Sequence, residues 1–187
     1  MKAKETKRVL MPLADGFDEI EAFTLAGTLK RAGLDVRLIG LQGNIMEGSD
    51  GTKIIADGKF DDIDVSSFDA LVLVGGPCCG KMGNSERLMK SIRMFNDQRK
   101  PIAAIGEAPC LLADAGLLGN RKATILPGME RRLSRPRGEP VVVDGHIMTA
   151  QSPADAMDLG LKIIEHVVSP ERVGFAREVL RGREKRL

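Results

Sequence analysis

Apolar residues along this chain keep two alternating rhythms. Residues 8–14 (RVLMPLA, apolar after Arg8), 70–74 (ALVLV) and 101–105 (PIAAI) are short apolar runs, the pattern of strands buried on both faces. Residues 34–41 predict a further strand. Between them the spacing turns helical. In 18–32, Ala22, Leu25, Ala26 and Leu29 share one face, and Gly33 ends the run. In 85–98 the stripe is Leu88, Ile92 and Phe95; in 153–168 it is Met157, Leu161, Ile164 and Val168. Residues 107–117 and 171–180 predict shorter helices, and 122–126 another strand. Two excursions predict hairpins: 44–56, turning on Gly48, Ser49, Asp50 and Gly51, and 141–150, turning around Asp144-Gly145.

Strand, helix, strand, helix is the order of an α/β fold, doubly wound, with a mostly parallel sheet and helices on both faces. With 187 residues and no internal repeat or linker, one domain is expected over residues 1–187. Its core spans about 7–168, followed by a C-terminal helix and basic tail over 169–187. Ligands of such sheets bind at the carboxyl ends of the strands. Those ends are 14–21, 74–80, 105–109 and 126–129, and they hold most of the chemically interesting residues.

Composition narrows the classes. There is no Trp or Tyr and only six Phe, so the core is aliphatic and no aromatic platform for base stacking is on offer. The balance of 28 basic and 26 acidic residues argues against a nucleic-acid partner. Arg131, Arg132, Arg135 and Arg137 cluster, as do Arg177, Arg181, Arg183, Lys185 and Arg186; these suit a solvated loop and tail. Three cysteines and no leader-like or membrane-length apolar segment predict a cytoplasmic protein with no membrane association. No metal-ligand spacing involving histidine is present, and no cofactor is expected.

The sharpest feature is Ala103-Ala104-Ile105-Gly106-Glu107-Ala108-Pro109-Cys110, where a buried strand runs almost directly into a helix. Such an elbow strains its tip residue, and hydrolases accept the strain to present a nucleophile. Glycine adopts positive φ without that cost. Gly106 therefore keeps the turn and lacks the nucleophile.

At this point the chain resembles the ThiJ/PfpI family, which includes the parkinsonism-associated protein deglycase and the intracellular protease PfpI. The resemblance runs from about Lys7 to Val168. It rests on the opening Leu13-Ala14-Asp15-Gly16-Phe17-Asp18-Glu19-Ile20-Glu21, on Leu71-Val72-Leu73-Val74-Gly75-Gly76, on the elbow, and on Asp144-Gly145-His146-Ile147-Met148-Thr149-Ala150. It implies a flavodoxin-like, class I glutamine amidotransferase-like fold and a homodimer or higher homo-oligomer. Ala22, Ala26 and Gly27 of the first helix are expected in the contact. Family enzymes carry a reactive cysteine where this chain has Gly106, and many carry a histidine where it reads Ile125-Leu126-Pro127. The family's acidic partner of the cysteine matches Glu21. The N–H groups that cradle an oxyanion match Gly75, Gly76 and the elbow.

Candidate catalytic residues are accordingly Glu21, Glu107, Cys78 and Cys110. Glu21 reads either as an acid beginning a helix or as a buried acid of raised pKa. Glu107 reads either as a helix-start carboxylate or as a second acid facing Glu21. Cys110, one turn past the tip, reads as a small buried hydrophobe or a displaced thiol. Cys78-Cys79 reads as two inert thiols, a displaced nucleophile, or a soft-metal ligand pair. His146 and His166 have no sequence reason to reach Gly106.

Three functions remain: a binding or regulatory member without cysteine chemistry, taking a small carbonyl or acyl ligand; a glyoxalase, deglycase or peptidase-type enzyme with a relocated thiol; or acid/base work by Glu21 and Glu107.

Overall fold

A computed structural model describes residues 6–183; Lys185 and Arg186 of the basic tail lie outside them. The chain runs β1 (Arg8–Leu13), α1 (Glu19–Arg31), β2 (Asp35–Gly40), the hairpin β3 (Ile45–Glu47) and β4 (Lys53–Ile55), and a short β5 (Gly58–Lys59). It continues through β6 (Ala70–Leu73), α2 (Cys79–Gly83), α3 (Glu86–Asp97), β7 (Ile102–Ile105) and α4 (Pro109–Asp114). The last elements are β8 (Val141–Asp144), β9 (Ile147–Ala150), α5 (Ala156–Val167) and α6 (Pro170–Leu180).

Among the described residues, seven strands form one sheet in the order β5-β2-β1-β6-β7-β9-β8. Every pairing is parallel except β8 with β9. β6 and β7 are buried along their whole length, because α1, α5 and α6 cover one face and α2, α3 and α4 the other. From β1 the chain winds outward to β2 and β5, then crosses back to β6 on the other side. The crevice beyond β1 and β6 is therefore the topological switch point, where doubly wound sheets bind their ligands.

Side-chain caps set two helix starts. Asp18 accepts from the Glu21 N–H at 2.9 Å, and Ser85 from the Leu88 N–H at 3.3 Å. The last long helix begins later than its pattern predicts. A 3₁₀ turn over Pro153–Asp155 precedes α5, held by a Ser152–Asp155 capping box.

Five expectations are corrected. Residues 122–126 form no strand: they make an isolated bridge, Ala123 to Pro136. The Thr124 N–H there donates to the Thr149 hydroxyl at 2.9 Å instead of to a ladder. The helix after the elbow is shorter than 107–117, since a turn occupies 106–108 and Pro109 opens α4, where its missing N–H costs nothing. Asp144 pairs with Ile147, so the second hairpin turns on Gly145-His146. In α5, Met157 is 46% exposed, whereas Leu159, Leu161, Ile163 and Ile164 are buried, because α1 and α6 also press on this helix. Finally, Ala22 and Ala26 are buried inside the protomer. Gly160 of α5 lets that helix approach α1 closely, since a Cβ there would stand 2.9 Å from the Thr28 Cγ2. The large apolar side chains that α1 leaves exposed are Ile20 and Phe23.

Candidate functional site

Three carboxylates within four residues serve three ends. Asp18 caps α1. Glu19 and Glu21 are two positions apart, so their side chains leave the helix about 200° apart. Glu19 turns toward the β3–β4 turn and is buried. It accepts from the Ser49 hydroxyl at 3.1 Å, the Asp50 N–H at 3.0 Å and the Thr52 N–H at 3.2 Å. Burial raises its pKa, but these donors outweigh burial and hold it below the usual glutamate value. Sequence reasoning treats Glu19 as a helix-start acid; the donors that distinguish it lie 30 to 33 positions away, at Ser49, Asp50 and Thr52, and no local signal marks them.

Glu21 turns the other way, into the switch-point crevice, and is 2% exposed. Its Oε2 accepts from the Gly75 N–H at 2.6 Å. Its Oε1 lies over Gly106, in the space a side chain there would take. Oε1 accepts no hydrogen bond within the described residues. No fully buried side-chain polar atom among them lacks a partner, so this oxygen opens onto the crevice. Burial pushes the Glu21 carboxyl up to about 7, with the Gly75 N–H opposing and the negative charges of Asp18 and Glu107 assisting.

Gly106 stands at the elbow tip with φ +63°. Its N–H donates to Ala150 at 3.1 Å and its carbonyl accepts from Leu126 at 2.9 Å. Leu126 thus lies beside the tip, where the resemblance places a histidine in other members. Gly75 is required by close approach: a Cβ there would sit 2.8 Å from the Glu107 nitrogen and 3.0 Å from the Glu21 Oε2. Gly76 has φ +102°, and a Cβ would meet the Gly16 carbonyl. Among the described residues the Gly76 and Glu107 N–H groups make no hydrogen bond. The crevice therefore gathers one carboxyl oxygen, two free N–H donors and a tip without a side chain.

The thiols stand apart from this arrangement. Cys78 is buried, with its sulfur 3.4 Å from the Gly75 carbonyl and 3.6 Å from the Met82 sulfur. Cys79 is partly buried, its sulfur 3.9 Å from the Val74 carbonyl. Interaction with Cys78, burial, and the charges of Glu107 and Glu21 push the Cys79 thiol far up. Cys110 is buried on α4, and burial raises its pKa as well. Among the described residues no cysteine sulfur hydrogen-bonds to Glu21. His146 meets Asn96 at 3.0 Å at the start of β9, the opposite end of the sheet from Gly106. His166 meets the Lys162 carbonyl at 2.9 Å.

Fold and crevice define a class, and comparison with known proteins assigns it. The DJ-1/PfpI family model matches residues 7–166; the chain belongs to the DJ-1/PfpI family. It is 33% identical over 173 residues to Protein DJ-1 homolog B of Arabidopsis thaliana, covering 89% of this chain and 39% of that protein. The chain thus spans about two fifths of the length of that plant relative. It is 31% identical to Deglycase PH1704 of Pyrococcus horikoshii, covering 79% of this chain and 92% of the other. The crystal structure of Drosophila melanogaster DJ-1beta superposes with a TM-score of 0.89 at 32% identity, covering 95% of this chain and 98% of that one. The mostly parallel sheet with helices on both faces is the doubly wound arrangement expected from the strand and helix pattern, and it is the flavodoxin-like fold that the resemblance implies.

Proposed function

We propose that this protein is a DJ-1/PfpI member that binds a small carbonyl or acyl compound non-covalently and acts in a binding or regulatory role. The observation that carries this reading is the occupation of the nucleophile's space: Gly106 supplies no side chain, and the Glu21 carboxyl leans into the place one would take. Free N–H groups at Gly76 and Glu107 suit a carbonyl or carboxylate oxygen of the ligand. A protonated Glu21 adds an O–H donor at Oε1, since Oε2 already receives the Gly75 N–H. A relocated thiol gains no support from the geometry, because the Cys78 and Cys79 sulfurs face main-chain carbonyls and Met82 and Cys110 is buried on α4.

A specific observation favours a second reading. A carboxyl with a pKa near 7 is matched to general acid/base work at neutral pH, and a relative named a deglycase is 31% identical to this chain. In that reading Glu21 moves a proton on a small dicarbonyl compound with no covalent step.

Methylglyoxal consumption by the pure protein separates the readings. The binding reading expects no turnover above buffer, with methylglyoxal or a small carboxylate perturbing the Glu21 and Glu107 resonances. Turnover lost in Glu21→Gln establishes the acid/base reading. Turnover lost in Cys78→Ser, Cys79→Ser or Cys110→Ser refutes both and restores a thiol mechanism.

A further inference from the structure

The segment after Gly75-Gly76 places three sulfurs together. Cys78 is the N-cap of α2 and Met82 lies four residues on, so both project from the same side of the turn. Their sulfurs are 3.6 Å apart, and both side chains are fully buried. Cys79, partly exposed, begins α2 beside them. Nothing in the crevice geometry uses this cluster.

We propose that Cys78 and Met82, with Cys79 as the outermost donor, form a binding site for a soft monovalent metal ion, Cu(I). The donor set selects the ion. Thiolate and thioether sulfurs favour Cu(I), whereas imidazole and carboxylate donors suit other metals. Among the described residues no group of three or more His, Cys, Asp or Glu could hold a metal. A zinc-type site of four hard or borderline ligands is therefore not on offer here. The third sulfur is a thioether, which is a soft ligand and carries no charge.

The spacing is close to what one shared ion needs. With metal–sulfur bonds of about 2.3 Å, two sulfurs on one ion stand from about 3.8 Å apart at a tetrahedral angle to about 4.6 Å when opposed. The Cys78–Met82 separation of 3.6 Å needs to open by only a few tenths of an ångström. Charge also balances. The Cys78 S–H gives its proton to solvent as its sulfur bonds the ion, so one thiolate and one thioether around Cu(I) leave a neutral centre, to which Cys79 adds its sulfur as the uncharged thiol. Neutrality is what a fully buried site requires. α2 is a five-residue helix, a short element of the kind that opens locally at low cost. Cys79, on its exposed side, offers the first sulfur to an incoming ion.

The test is anaerobic titration of the reduced protein with Cu(I) against a chromophoric Cu(I) chelator, with Zn(II) in parallel and circular dichroism to confirm folding. The parent and Cys110→Ser are expected to retain one equivalent of Cu(I) and no Zn(II). Met82→Leu keeps the apolar volume of the core. It is expected to weaken retention by at least tenfold, and Cys78→Ser by more than the roughly 10–100-fold that losing an outer-shell partner costs. The proposal is overturned if the parent retains no Cu(I), if folded Met82→Leu and Cys78→Ser hold it as tightly as the parent, or if Cys110→Ser abolishes it.

Discussion

Replacing Glu21 by Gln is expected to make the protein more stable at pH 8 and to leave it nearly unchanged at pH 4. In the folded chain the Glu21 carboxyl titrates near 7, against 4.5 when unconstrained. A carboxyl whose pKa is raised by folding holds its proton more tightly in the folded state. Its contribution is fully present below about pH 4.5 and is lost as pH rises toward 7, because the unfolded chain ionises freely while the folded chain must bury a charge. At about 1.4 kcal/mol for each tenfold change in proton affinity, the loss across that window is on the order of 3 kcal/mol. Gln places a neutral amide in the same space. Its carbonyl accepts from the Gly75 N–H and its NH₂ replaces the O–H at Oε1. Urea unfolding of parent and variant from pH 4 to 8 measures the difference directly. Groups common to both proteins cancel, including His146, whose pKa burial lowers. The difference should grow by about 2–3 kcal/mol toward pH 8, with its midpoint between 4.5 and 7. A flat difference across the whole range would refute both the buried placement of Glu21 and its raised pKa.

Three further outcomes are expected. Gly106→Cys should fold but lose at least about 1–3 kcal/mol, because a Cβ at φ +63° is strained and meets the Glu21 carboxyl. Its thiol should be alkylated faster than the buried Cys78 and Cys110; an unchanged melting temperature and an inert thiol would remove Gly106 from the elbow tip. Glu19→Ala should cost about 1–3 kcal/mol through the Asp50 and Thr52 N–H groups it orphans, with amide exchange faster across residues 48–52 and unaltered exchange arguing against the clamp. Homodimer formation is expected through the apolar surface that includes Phe23 and Ile55, the latter 83% exposed. Ile55→Asp should shift the molecular mass in light scattering from dimer toward monomer, and a parent that is monomeric at micromolar concentration ends that proposal.

Much of this protein was legible along the chain because its signals are local. The runs 9–14, 70–74 and 101–105 are apolar at every position, and only a strand covered on both faces needs that. The turn at 48–51, the pair Gly75-Gly76 and the elbow at Gly106 announce themselves by residue type, since few residues adopt those backbone conformations or permit so close an approach. The candidate crevice followed from them, because strand ends in a doubly wound sheet collect on one edge.

Side-chain direction and long-range pairing were decided only by the tertiary structure. Periodicity presented Glu19 and Glu21 as equivalent helix-start acids. Folding sends one to Ser49, Asp50 and Thr52 and the other to Gly75, and their pKa values move in opposite directions. Residues 122–126 have strand-like composition, but Thr124 spends its N–H on the Thr149 side chain. Ala22 and Ala26 resemble contact residues until the folded protomer buries them. In each case the deciding partner lies far away in sequence, and a one-dimensional pattern records which residues can be buried without recording what buries them.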